Sequence, residues 1–354
     1  MNEKVIGDGD VIIRELGALR RITLNRPKAL NAITLGMAET ITALIRAWAE
    51  DPSVGTVMID GAGGRAFAAG GDIRALYDAA KSGSDLPAQF WATEYHLNVL
   101  IARYPMPVIV IMDGLVMGGG VGLASHAAHR VVTERSSVAM PEVGIGFFPD
   151  VGVAYLLARA PGSIGTHLLL TGERMNAADA IYAGLADTHI PTSSLEVLPT
   201  ALAECRSTAE ARTTLNKIAT QPAAGKLETA RTWVDHCYNA DKVEDVVRHL
   251  RDSAEDQARA ALDVIGKASP TSLKVTLRNL RDAAKFERVE QSFQQDYRIA
   301  LACIAGHDFM EGIRATIVDK DRNPAWHPAR LEDVTGDIVD RHFESVGALE
   351  LQFP

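Results

Sequence analysis

Cysteine is scarce: Cys205, Cys237 and Cys303 are the three in 354 residues. Their scatter fits neither a disulfide framework nor a metal site, which suits a reducing compartment. No run of 18 apolar residues exists to span a membrane. The start, "MNEKVIGDGDVIIREL", lacks the basic stretch and apolar segment of a signal peptide. Positive charge is also short, with 36 Lys and Arg against 45 Asp and Glu and a net charge of −9. That balance speaks against nucleic acid as the main partner, because phosphate backbones are bound by concentrated Lys and Arg. A local basic pocket for a small phosphorylated ligand stays open. Nucleotide signatures are missing too. In "GGGVGL" Leu123 stands where G-x-G-x-x-G needs its last glycine, and neither a P-loop nor a G-x-S-x-G elbow occurs. There is no internal repeat and no low-complexity segment. We therefore expect a cytoplasmic globular protein, long enough for one large domain with an extension or for two domains.

What is present has a clear order. "VIIREL-GA-LRRITL" reads as a hairpin. Ile33, Met37, Ile41, Leu44, Ile45 and Trp48 then recur at helical spacing. Strand signals follow in "VGTVMID", "PVIVIMDG" and "HRVVTE", with helices expected over 72–81, 88–103, "GGGVGLASHAAH" and "VGVAYLLARAPG". Strand and helix alternate from about residue 10 to 195, which predicts an α/β class with helices covering a sheet. Beyond "HIPTSSLEVLP" the chain turns to amphipathic helical stretches such as "KVEDVVRHLRDSAEDQARAALDVI". The expected division is therefore 1–198, an α/β core carrying the site, and 199–354, a helical C-terminal region.

Two segments share one layout of apolar run, small-residue turn and helix: "AFAAGGDIRAL" (66–76) and "DGLVMGGGVGLA" (113–124). Helix starts leave N–H groups unpaired and carry partial positive charge. Two such N–H groups aimed at one point would form an oxyanion hole. Read from the residues alone, the same glycines serve equally well in tight turns and close packing. A third segment, "MPEVGIGFFPD", surrounds two acids, Glu142 and Asp150, with Val143, Ile145, Phe147 and Phe148. A carboxylate among apolar neighbours loses hydration, which raises its pKa and its reactivity. The structural alternatives are a turn cap for Glu142 and an N-cap for Asp150 on a helix starting near Val151.

Taken together, "LNRPKALNAI" (24–33), "AFAAGGDI", "MGGGVGLA" and "MPEVGIGFFPDVG" resemble the crotonase (enoyl-CoA hydratase/isomerase) superfamily. With "SPTSLKVTLRNL" (269–280) and "DFMEGIRATIVDKDRNPAWHP" (308–328), the resemblance narrows to a subgroup that hydrolyses acyl-CoA thioesters. It implies a crotonase-like spiral of ββα units with a helical C-terminal region. Gly71 and Gly119 match the positions whose N–H groups hold the thioester oxygen. Lys28 and Ala29, in "RPKAL", and Ala66, Ala68, Ala69 and Gly70 match parts that line the coenzyme A channel. Glu94, in "TEYHLN", matches a substrate-contacting position, and Glu142 and Asp150 match the subgroup's two active-site acids. Hydratases carry a glutamate in a G-G-G-x-E pattern where this chain has Gly122. The resemblance therefore implies chemistry at the thioester carbonyl, with 3-hydroxyisobutyryl-CoA of valine breakdown as the substrate. No cofactor or metal is expected, since coenzyme A is part of the substrate, and a homo-oligomer is possible within the superfamily. Two rivals stand beside this reading: an enoyl-CoA hydratase or isomerase, and an inactive scaffold binding CoA or RNA.

Other residues are expected to be structural. Asp72 would cap the helix after its turn, and His126 and His129 lack a third ligand at metal-site spacing. Ser125 beside His126 does not form a triad, because neighbours on a helix point different ways. Asp319, Lys320, Asp321 and Arg322 read as a solvated charge run.

Overall fold

The structure is a computed structural model that describes residues 2–6 and 9–353. Its strands are β1 (Asn2–Ile6), β2 (Val11–Leu16), β3 (Leu19–Leu24), β4 (Thr56–Gly61), β5 (Ala66–Ala68), β6 (Val108–Met112), β7 (Leu115–Met117), β8 (His129–Val132), β9 (Ser137–Ala139) and β10 (Thr188–His189). Seven of them form one sheet in the order β1-β2-β3-β4-β6-β8-β10, and the remaining three form a second in the order β5-β7-β9. The hairpin β2–β3 is antiparallel, pairing Val11 with Leu24 and Leu16 with Leu19. From β3 onward the large sheet is parallel. Chain order explains the two sheets. Each turn of the spiral gives one strand to the large sheet (β4, β6, β8), the next to the small one (β5, β7, β9), and then continues into helix or 3₁₀ turn.

Strand character follows position. β6, "VIVIM", lies inside the parallel sheet and every residue is buried, whereas β2 alternates buried and partly exposed positions. A strand covered on both faces needs an unbroken apolar run. One apolar cluster joins Leu19, Met58, Ile109, Ile111 and Val131 to Leu198, Leu202 and Leu215. The last three belong to the helices Leu198–Leu202 and Thr208–Ile218, which thus cover part of the sheet.

The expected first helix runs Leu35–Ala49, with Thr34 as N-cap accepting the Met37 N–H at 3.2 Å. Ile33, counted in its apolar stripe, lies outside it and pairs in parallel bridging with Gly71. The amphipathic run after residue 242 forms two helices, Val243–Asp252 and Asp256–Ile265. Between them Ser253 is extended (ψ 141°) and its hydroxyl accepts the Glu255 N–H at 3.3 Å, a local bond that competes with helix.

Two compact units share the chain by interleaving. One comprises 1–72, 93–138 and 174–225; the other 73–92, 139–173 and 226–354. The last strand, β10, ends at His189, and every later element of the described chain is helical. Unit one holds the large sheet. Unit two is helical, with Leu273, Leu277, Phe293, Ile299 and Phe309 in its core. Among the described residues no helix is long and apolar enough to cross a membrane. The three cysteines are free and buried.

Candidate active site

In the first unit, β5 and β7 run parallel, pairing Ala66 with Leu115 and Ala68 with Val116. Parallel neighbours end on the same side, so Ala69–Gly71 and Gly118–Gly120 leave the small sheet together. Gly118 bends the second segment with φ 47° and ψ −121°, a conformation open to glycine. A Cβ on Gly119 would lie 3.4 Å from the Gly71 nitrogen and would collide with Glu94 Oε1. Gly71, Gly119 and Glu94 are thus one cluster, and the close approach explains why residue 119 lacks a side chain. Ile33 donates to Gly70 O at 2.8 Å and accepts from Asp72 N at 2.9 Å, a ladder that passes over Gly71 N. Neither Gly71 nor Gly119 donates its N–H to a backbone carbonyl among the described residues. Glu94, on the helix Leu86–Ala102, is 3% exposed.

The "RPKAL" segment is clamped beside these turns. Leu30 and Asn31 both have positive φ, 52° and 56°. Asn31 Nδ2 donates to Ala66 O at 2.8 Å and Ala62 O at 3.0 Å, and its Oδ1 accepts from Arg26 N at 2.9 Å. Ala69 N donates to Leu30 O at 3.0 Å. Lys28 and Ala29 are held in an exposed 3₁₀ turn, while Ala66 and Ala68 are buried below it.

The second unit holds the acids. Glu142 opens the 3₁₀ turn Glu142–Ile145, and its carbonyl accepts the Phe147 N–H at 3.1 Å. Packing seats this turn tightly. Gly146 (φ 70°) has the Asp308 carbonyl where a Cβ would stand, and Ser269 N donates to Val143 O at 3.1 Å. Phe147 stacks on Trp91 with centroids 5.4 Å apart and tilts against Phe309 at 5.1 Å. Glu142 is 7% exposed and its Oε2 has no hydrogen-bond partner among the described residues. Burial pushes its carboxyl well above the usual carboxylate range, and the charge of Asp150 pushes it further. The oily surroundings seen in the sequence are therefore what keeps this acid basic.

Asp150 is 5% exposed and is followed by Val151 at φ 55°. A β-branched residue in the left-handed region costs roughly 1–3 kcal/mol and persists where its surroundings over-determine it. The following helix, Val153–Leu157, has Gly152 as N-cap and no side-chain cap, so the N-cap role considered for Asp150 does not arise there. Gly152 N instead donates to Asp296 Oδ2 at 2.8 Å. Asp296, 0% exposed, is raised well above the carboxylate range by burial and by Asp150, against the donors from Gly152 and Asn279.

Other candidates resolve into structure. Asp72 pairs with Arg26, Nη2 to Oδ2 3.0 Å, and Arg26 also donates to Ala32 O at 2.7 Å. His129 hydrogen-bonds Thr208 O at 3.1 Å, and burial lowers its pKa. The "DKDR" run is more than a solvated face: Asp319 and Asp321 clasp Arg314 Nη1 at 2.8 and 2.6 Å, with Lys320 and Arg322 at positive φ.

Asn279, Gln295 and Asp296 escaped the sequence reading. Their signal was a polar residue inside an apolar stripe: Phe293, Asp296, Ala300 and Cys303 share helical spacing and are all buried. A buried polar group without a partner is costly, so such an intrusion marks a network.

A family model described as enoyl-CoA hydratase/isomerase matches residues 19–343. The mitochondrial 3-hydroxyisobutyryl-CoA hydrolase of Rattus norvegicus is 40% identical over 352 residues, covering 97% of this chain and 91% of the relative. Among solved structures, a carnitinyl-CoA dehydratase from Mycobacterium thermoresistibile superposes with TM-score 0.92 at 44% identity, covering 97% of this chain and 98% of that one. An enoyl-CoA hydratase from Rhodobacter sphaeroides 2.4.1 superposes with TM-score 0.89 at 38% identity, covering 97% and 100%.

Proposed function

The chain belongs to the enoyl-CoA hydratase/isomerase family, and from that membership we propose that it hydrolyses acyl-CoA thioesters, with 3-hydroxyisobutyryl-CoA as the substrate. The observation that carries the reading is Glu142, a buried carboxyl beside Asp150 whose Oε2 has no partner among the described residues. A buried carboxyl with an oxygen left unpartnered is available to a reacting group. The Gly71 and Gly119 amides would hold the carbonyl oxygen as it becomes negative, each contributing about 3 kcal/mol in a favourable geometry. Glu142 then acts in one of two ways. As nucleophile it attacks the carbonyl carbon, the C–S bond breaks, CoA leaves as thiolate and takes a proton, and water cleaves the resulting anhydride. As base it takes a proton from water, whose oxygen attacks the same carbon, and the proton passes to the departing sulfur. Asp150 orients that water or the substrate's β-hydroxyl. Lys28 and Ala29, with Ala66, Ala68, Ala69 and Gly70, would line the coenzyme A path, and Glu94 would fix the acyl group against Gly119. CoA arrives as part of the substrate, and no cofactor enters the scheme.

A second reading, hydration or dehydration of the acyl chain, comes from the two similar solved proteins, a carnitinyl-CoA dehydratase and an enoyl-CoA hydratase. Against it stands Gly122, buried in the helix Gly119–Ser125, where family resemblance puts a hydratase's glutamate. One experiment separates the two: free thiol and enoyl absorbance are followed with a panel of acyl-CoA esters, with and without a β-hydroxyl. We expect thiol release, greatest for the β-hydroxy ester, and a loss of at least about 100-fold in Glu142→Ala. Enoyl consumption without thiol release, or full activity in Glu142→Ala, would overturn the assignment. Single turnover in heavy-oxygen water then distinguishes the routes, since label enters Glu142 only through the anhydride.

A further inference from the structure

Behind Asp150 lies a chain of buried polar groups with no part in the scheme above. Gln295 Nε2 donates to Asn279 Oδ1 at 2.8 Å, Asn279 Nδ2 donates to Asp296 Oδ1 at 3.0 Å, and Gly152 N donates to Asp296 Oδ2 at 2.8 Å. Exposure falls from 9% at Gln295 to 1% at Asn279 and 0% at Asp296. Such a chain earns its place in an apolar core only if something depends on it, because each member costs desolvation that a leucine would not. It ends two residues from Asp150, on the amide just beyond the strained Val151.

We propose that Asp296 is a positioning residue for the hydrolysis, holding the Asp150–Val151–Gly152 turn in its strained form through the Gly152 N–H, with Asn279 and Gln295 fixing the orientation of its carboxyl. The proposal rests on the hydrolase reading. Alternating donors and acceptors make it work. Both oxygens of Asp296 accept, so its carboxyl needs two donors, and Asn279 can supply one only if its own oxygen faces Gln295. Without the clamp, Val151 relaxes toward negative φ and Asp150 swings with it. Glu142, whose carboxyl feels Asp150, loses its set environment as a consequence. The charged groups in play are few: Asp150 acts on Asp296, on Glu142 and on the buried Cys303 thiol, which burial, Asp150 and Asp308 together push up.

The connectivity offers a clean test. Exchanging the two residues, Asn279→Asp with Asp296→Asn, keeps all three hydrogen bonds: Gln295 donates to the new acid, the new amide donates to it as well, and the amide oxygen accepts from Gly152 N. Asp296→Ala is expected to lower kcat for the β-hydroxyacyl-CoA ester by about 10- to 100-fold with KM within about threefold of wild type. Asn279→Asp alone, which sets two acids against each other, should be similarly slow. The double exchange should recover to within about fivefold of wild type. Two results would overturn the inference: kcat of Asp296→Ala within threefold of wild type, or a double exchange that melts like wild type yet stays as slow as Asp296→Ala. If Asp296→Ala does not fold, the double exchange decides alone by the same criterion. A wild-type protein that releases no CoA overturns the hydrolase reading itself, whereas active wild type with an unimpaired Asp296→Ala overturns only this one.

Discussion

Glu142 shows how a single residue acquires chemistry from its surroundings. In water it would titrate as any glutamate, but here burial and then the Asp150 charge both favour its protonated form. Removing the second influence gives a signed prediction. In Asp150→Asn the like charge is gone, so the anion of Glu142 becomes easier to form and its pKa falls. The acid limb of the kcat/KM profile should therefore move to lower pH, with its slope unchanged, as thiol release measured from pH 4 to 9 would show. A shift upward would contradict the charge argument. The same carboxyl bears on stability with the sign of a raised acid: its contribution is present below the unfolded value and lost as pH rises. Val151 and Gly119 also take their meaning at this scale, one by strain and the other by having no side chain to strike Glu94.

Among elements, the 3₁₀ turn 142–145 owes its position to the helices behind it. Ser269 is the joint. Its hydroxyl caps the helix Pro270–Ala283 by accepting the Ser272 N–H at 3.1 Å and donates to Asp308 Oδ2 at 2.6 Å, while its N–H holds Val143 O. Ser269→Ala removes the cap and one donor to a buried acid and should lower unfolding free energy by about 2 kcal/mol. Ser269→Thr, which keeps the hydroxyl, should lose less. Urea midpoints of the three proteins check this, and equal midpoints would show that the joint is not where the stability lies. In the first unit the analogous device is the pair β5 and β7, whose parallel pairing delivers two glycine turns at one level.

For the whole molecule, the acidic balance sets how it responds to pH. With a net charge of −9, copies of the chain repel one another at neutral pH and lose that repulsion toward the isoelectric point near 5.6. Below that, specific carboxylates decide. Burial alone would raise Glu173, but hydrogen bonds and charge from His167 and Lys226 outweigh it and bring the pKa from 4.5 to about 2. A depressed acid stabilises the fold above its unfolded value, and that contribution fades as pH falls toward about 2. Wild type should therefore exceed Glu173→Gln in urea midpoint at pH 7, and the gap should close between pH 4.5 and 2. Because Lys226 is 60% exposed, its part of the gap should shrink in high salt.

Much of this was legible in the residues themselves. Hydrophobic period identified β2, β3, β4 and β6 and the first helix, since local pattern reports which face will be buried. The glycine turns and the acid pair stood out because small residues and acids in apolar runs are locally expensive, and their combination pointed to the family. What no local pattern could decide was who meets whom across the chain. Asp296 lies 144 residues from Gly152, and the hydrogen bond between them depends on helices whose order of packing is not written in either stretch. The interleaving of the two units is likewise a property of long-range contacts, and a change of composition near 198 carried no information about it. Only the tertiary structure could turn a lone aspartate in a helical stripe into the support of a distant strained turn.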